Sequence, residues 1–126
     1  MEWYTRAVLV AAGLVHLLPV AGLFGARALD RLYGTAIDDP DLLLMLRHRA
    51  LLFGLLGTGL LAAVALPSLR TALLIAGLAS TTGFCLLAWP FDHVGPALRR
   101  VAVIDLPLIP ALALALYLQL RATMPA

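Results

Sequence analysis

LLLMLRHRALLFGLLGTGLLAAVALPSL, residues 42–69, is the stretch on which the reading of this chain turns. From Ala50 to Leu69 it carries no formal charge. That part alone is long enough to cross a hydrocarbon core of roughly 30 Å, which needs about 20 apolar residues. It is entered through Arg47-His48-Arg49. Two guanidinium groups and an imidazole at the mouth of an apolar helix are costly unless they find partners or reach water.

Three further runs have the same character. Ala7–Ala26 holds only His16 as a polar ionisable group, Thr71–Phe91 is uncharged, and Val101–Leu120 carries only Asp105. Over the whole chain 63% of residues are hydrophobic and 13% charged, against about half and a quarter in ordinary globular proteins. The mean hydropathy of +0.99 agrees. The expected fold is all-α: a single domain over residues 1–126, built as an integral membrane four-helix antiparallel bundle. The spans are expected at about 6–26, 42–67, 69–90 and 97–121. The first run is long for a signal-peptide core and its leading residues, Glu2 and Arg6, are weakly basic, so it is read as a retained span.

The connections support this layout. Ala28, Leu29, Leu32 and Tyr33 recur at helical spacing among Arg27, Asp30 and Arg31, which predicts a short interfacial helix between spans one and two, stopped at Gly34. Asp39-Pro40-Asp41 has the chemistry of a helix start: a capping carboxylate, a proline suited to the first turn, and an acid near the positive helix end. Pro67-Ser68 allows only a tight connection between spans two and three.

All nine basic residues are arginines, and they gather at the ends of the apolar runs, as membrane anchors do. No basic stripe interleaved with aromatics suggests nucleic acid. With four spans both termini share one side, with Glu2, Arg6, Arg70 and Arg121. Arg27, Arg31, Arg47, Arg49, Arg99, Arg100 and every aspartate fall towards the other, which the positive-inside rule assigns to the cytoplasm, leaving the termini outside. The lone Cys85 cannot form an intrachain disulfide and reads as a small buried hydrophobe.

At about 1.5 Å of rise per residue, His16 lies about 15 Å from the polar edge, Thr82 and Asp105 about 12 Å, and His48 about 9 Å. All four spans thus bring polar groups to one layer. Arg47 is expected to be the inward member of the triplet because Ala50, Gly54 and Thr58 share its face. The alternative seats the whole triplet among lipid headgroups. Asp105 needs a cation, a hydrogen-bond network or a proton, and Arg47, Arg49 or Arg100 could supply the charge. A purely structural Asp–Arg clasp would meet the same need. Asp92 and His93 read as solvated loop residues.

The site residues expected from this layer are Arg47, His48, Arg49, Thr82, Arg100 and Asp105 for a ligand, with His16 and Asp105 as candidates for proton transfer. The leading expectation is that the protein binds an amphiphile, a quinone, isoprenoid or phospholipid, whose apolar body lies among the helices. The rivals are a membrane-embedded redox or isomerising enzyme, or redox-complex subunit, using His16 and Asp105, and a structural assembly subunit. No cofactor is predicted. Haem ligation by His16 and His48 is an alternative without further signature, and His16, His48 and Asp105 lack compact metal-ligand spacing. Walker, serine-elbow, zinc-protease and dinucleotide motifs are missing from the sequence. The partners expected are membrane lipid or a lipid-like ligand, and further copies or subunits of a membrane complex.

Several strings carry a resemblance across nearly the whole chain. His16-Leu17-Leu18-Pro19, Leu32-Tyr33-Gly34, Arg47-His48-Arg49-Ala50 with Leu52-Phe53-Gly54, and Arg100 with Asp105 resemble uncharacterised bacterial four-span membrane proteins. These are similar to the broader DoxX-like group, which includes membrane subunits of redox systems. The resemblance implies a multi-pass bundle in the inner (cytoplasmic) membrane and assigns no reaction. Members often carry the name phosphopantetheine adenylyltransferase. This chain has neither the T/H-x-G-H phosphate motif nor the parallel-sheet pattern of that soluble enzyme, so the activity is not expected of it.

Overall fold

The computed structural model describes residues 2–124. These residues form α1 (Glu2–Leu17), a 3-10 segment (Leu18–Phe24), α2 (Ala26–Tyr33), α3 (Pro40–Ala65), a 3-10 turn (Pro67–Leu69), α4 (Arg70–Ala88) and α5 (Pro96–Thr123), with no strand among them. Four helical stretches are long and apolar enough to cross a membrane: Glu2–Phe24, Pro40–Ala65, Pro67–Ala88 and Pro96–Thr123. That architecture marks a multi-pass membrane protein. Leucines on the outward faces, such as Leu44, Leu55, Leu87 and Leu114, are exposed, as expected for helices whose outer surface meets acyl chains rather than water.

Local chemistry sets the boundaries. Asp39 caps α3, its Oδ1 accepting from the backbone N–H of Asp41 at 2.8 Å and of Leu42 at 3.1 Å. Gly34 ends α2 in the left-handed region, with φ 66°, where a side chain would be strained. Span one departs from the expected continuous helix. Pro19 has no N–H to return to the preceding turn, and the chain tightens there into the 3-10 segment. α2 is fastened to that segment by Leu29, whose methyl lies where a Cβ on Gly22 would sit, 2.7 Å away.

α1 packs on α3 and α5, and α4 on α3 and α5. The core they enclose centres on Leu9, Ala12, Leu60, Leu74 and Leu112. α1 and α3 meet with backbone close to backbone: a Cβ on Gly57 would stand 2.8 Å from the Gly13 carbonyl oxygen. Small residues of this kind let helices meet closely in lipid.

Arg70 stands at the end of its apolar run as expected, but it is buried instead of exposed there. Its Nε donates to the Ala63 carbonyl at 3.0 Å and its Nη2 to the Val64 carbonyl at 3.0 Å. It also reaches the Glu2 carboxylate at 3.2 Å. One guanidinium thereby satisfies carbonyls that the end of α3 leaves open. Arg70→Met is expected to cost about 2 kcal/mol, the penalty of stranding such acceptors. Reversible denaturation in mixed micelles measures it, and an unchanged midpoint would show that water replaces the arginine freely.

Candidate functional site

The break at Pro19, the placement of α2 and the upper turns of α3, α4 and α5 enclose a cavity of about 260 Å³. Its wall is mostly apolar: Val15, Leu18, Pro19, Leu32 and Val101, with the rings of Tyr33, Phe53 and Phe84. Besides the Tyr33 phenol, three ionisable side chains line it: His16 from α1, Arg49 from α3 and Asp105 from α5.

His16 is 3% exposed. Its Nδ1 lies 2.8 Å from the Ala12 carbonyl oxygen, which can only accept, so Nδ1 carries a proton. In the neutral ring Nε2 then accepts from the Ser80 hydroxyl, 3.3 Å away on α4. The ring also lies against Phe53, with centroids 5.7 Å apart. Both nitrogens are therefore engaged within the bundle, and His16 works as a strut that ties α1 to α4.

Arg49 is different. Its guanidinium carbon lies 5.0 Å from the centroid of Phe53, 5.7 Å from Phe84 and 5.9 Å from Tyr33. Three ring faces compensate the charge by cation–π attraction, and they accept no conventional hydrogen bond. Among the described residues Arg49 makes no ion pair, and its five N–H donors remain unspent. Asp105 is 8% exposed, and it too makes no ion pair among the described residues. No hydrogen bond to its carboxylate forms there either. The oxygens open onto the cavity instead of being sealed off. A donor set and an acceptor set of opposite charge thus share one apolar cavity without meeting.

The other expected site residues lie elsewhere. Arg47 is exposed, and its Nε donates to the Leu23 carbonyl at 3.0 Å. The face assigned to it is the one turned towards span one, with Ala50 and Gly57 buried below it. At the depth of Arg47, however, the 3-10 segment occupies that face and uses the guanidinium. His48 is exposed and does not line the cavity, so the two histidines are not brought together to bracket a haem. Thr82 faces a separate groove with Cys85, Trp89 and Phe91. Arg100 lines an outer depression with Arg99 and Pro96. His16, His48 and Asp105 do not gather as a metal-binding cluster among the described residues.

Four contributors were not singled out from the sequence as site residues: Tyr33, Phe53, Phe84 and Ser80. The spacing of Arg49 and Phe53, four residues apart and hence on one helical stripe, was the available signal. Nothing in the sequence marked Ser80 over Thr82, because depth along a helix says nothing of direction around it.

Comparisons of the chain with protein-family models, with curated proteins and with solved structures gave no match.

Proposed function

We propose that the protein binds a membrane amphiphile, with its polar head between Arg49 and Asp105 and its apolar body leaving among the helices. One observation carries this reading: a guanidinium and a nine-tenths-buried carboxylate line the same cavity, each without a hydrogen-bonding partner among the described residues. Arg49 is half-buried and no unpaired side-chain N or O is sealed off among the described residues. Both groups therefore stand open to whatever fills the cavity, and an ionisable residue inside a membrane span marks a functional site by default. A head that accepts from Arg49 and donates to Asp105 satisfies both. The aromatic and leucine wall suits a chain or ring below it.

The same proposal makes the protein an antiparallel up-and-down bundle in the inner membrane, with α2 lying at the interface as a cover to the cavity. The tight Pro67–Leu69 connection supports the first point. The alternation of Leu29 and Leu32 with Arg27, Asp30 and Arg31 supports the second. Membership of the DoxX-like group belongs to this proposal too. Its support is the sequence resemblance alone, carried by His16-Leu17-Leu18-Pro19, Leu32-Tyr33-Gly34, Arg47-His48-Arg49-Ala50 and Arg100 with Asp105. The engaged nitrogens of His16 favour binding over proton transfer by that residue. Further copies of the chain or other membrane subunits are left as partners through the exposed apolar faces.

A lipid analogue with a photoreactive diazirine beside its head tests the site. Crosslinks are expected on peptides containing Phe53 or Val101. Arg49→Gln should lower the yield about tenfold or more, the loss of a hydrogen bond to a charged group. Arg47→Gln should leave the yield unchanged, since Arg47 is not in the cavity wall and turns to the Leu23 carbonyl. Equal loss from both variants would place the head outside this cavity.

A further inference from the structure

The site's charge narrows the class of head group, an inference that rests on the binding proposed above. We propose that the occupant is an uncharged, hydroxylated lipid, whose hydroxyl donates to Asp105 while a neighbouring oxygen accepts from Arg49.

Three observations carry this. Arg49 and Asp105 have opposite formal charges and line one cavity, with no other formally charged side chain in its wall. The cavity therefore has no net charge with which to balance an ion. A phosphate brought to Arg49 would face the Asp105 carboxylate as a like charge in a medium of low dielectric, where such contacts are most costly. Second, the guanidinium charge is already compensated by the rings of Tyr33, Phe53 and Phe84. With the Asp105 carboxylate in the same cavity, it needs an acceptor for its N–H groups and does not need a second anion. Third, anionic headgroups have better sites on this protein. Arg27 and Arg31 on α2 and Arg99 and Arg100 near the start of α5 are exposed, where a phosphate keeps its water.

Size agrees. About 260 Å³ stands at the small end of ligand pockets, which run from roughly 300 to 1,000 Å³. A glycerol-sized head and the first carbons of a chain fit that space, and the rest of the chain leaves past the exposed Leu18. Two adjacent oxygens, one donating and one accepting, are what a monoacylglycerol or a long-chain diol presents.

A matched pair of probes decides the matter: monooleoylglycerol and oleoyl lysophosphatidic acid, which share chain and glycerol and differ by one phosphate. Octadecene supplies the chain without a head. Binding to delipidated protein in a nonionic detergent is read by native mass spectrometry. The wild type is expected to take monooleoylglycerol at least about tenfold more tightly than either other probe, the worth of one charged hydrogen bond. Asp105→Asn, which leaves the site with the charge of Arg49 alone, should reverse the order of the glycerol pair. A wild-type preference for lysophosphatidic acid that Arg49→Gln abolishes would overturn the uncharged head and leave amphiphile binding in this cavity standing. Equal binding of all three probes would overturn both. The wild-type comparison is decisive even where a variant fails to fold.

Discussion

Asp105→Leu is expected to yield a protein that folds, with an unfolding midpoint equal to or above that of the wild type, and that has lost its ligand. The sign follows from the surroundings of the carboxylate. A buried carboxylate clasped to an arginine would make its removal destabilising by about 3–5 kcal/mol, because the partner charge is stranded. Asp105 has no such clasp: it is 8% exposed, makes no ion pair among the described residues, and faces open space. Replacing it removes a costly buried polar group and breaks no hydrogen bond, and the Arg49 charge left behind keeps the rings of Tyr33, Phe53 and Phe84. Leucine has the heavy-atom count and branching of aspartate, and the cavity gives its slightly larger methyl groups room. Affinity for the head should fall by about 1.5–3 kcal/mol, the contribution of a charge-assisted hydrogen bond, or roughly 10- to 150-fold. Thermal unfolding in micelles and lipid binding on the same preparation give both readouts. A variant that collapses, or a stable one that binds unchanged, contradicts this account. Stability held in reserve while function is lost is the usual mark of a residue kept for its site.

Gly57→Val carries the second large effect, and here fold and site fail together. The new Cβ would stand 2.8 Å from the Gly13 carbonyl oxygen and 2.9 Å from Leu17 Cγ. The first neighbour is backbone, so relief requires α1 and α3 to separate. Overpacking of this kind costs about 1–3 kcal/mol, more when the obstacle is rigid. His16 stands one turn along α1 from Gly13, and Arg49 and Phe53 lie on α3. A shift between these helices therefore displaces both walls of the cavity. A lower midpoint and weakened ligand binding are expected in the same variant. Gly83→Ala is the control: its Cβ meets nothing within 4 Å, and helix propensity favours alanine there by up to about 1 kcal/mol. Equal behaviour of the two variants would show that the α1–α3 contact tolerates separation.

The sequence carried the spans, the Asp39 cap and the stop at Gly34 in clear form, because each depends on chain-local chemistry: apolar run length, a capping side chain, a left-handed glycine. It marked Asp105 as the lone charge of its run but offered it an arginine clasp that does not form among the described residues. It was less informative about direction. Rise per residue places Thr82 and Ser80 at similar depth, yet the turn of 100° per residue decides which of them reaches His16, and Ser80 does. For the arginine triplet the helical face was readable and its neighbour was not. Arg47 faces span one as its small-residue stripe implied, but Pro19 converts that span into a 3-10 segment whose Leu23 carbonyl meets the guanidinium first. Arg49, two residues on, is left for the cavity. Arg70 looked like any basic residue at a membrane boundary. Its burial follows from a tertiary fact, the unsatisfied end of α3 folding back over it.

The central claim is that Arg49 and Asp105 together hold one amphiphile. Native mass spectrometry tests it most directly, on wild type and on an Arg49→Leu, Asp105→Leu double variant released from the same host membranes without delipidation. The wild type is predicted to carry a discrete adduct in the mass range of a single lipid, and the folded double variant to lack it. The same adduct on both proteins, at equal occupancy, would contradict the account.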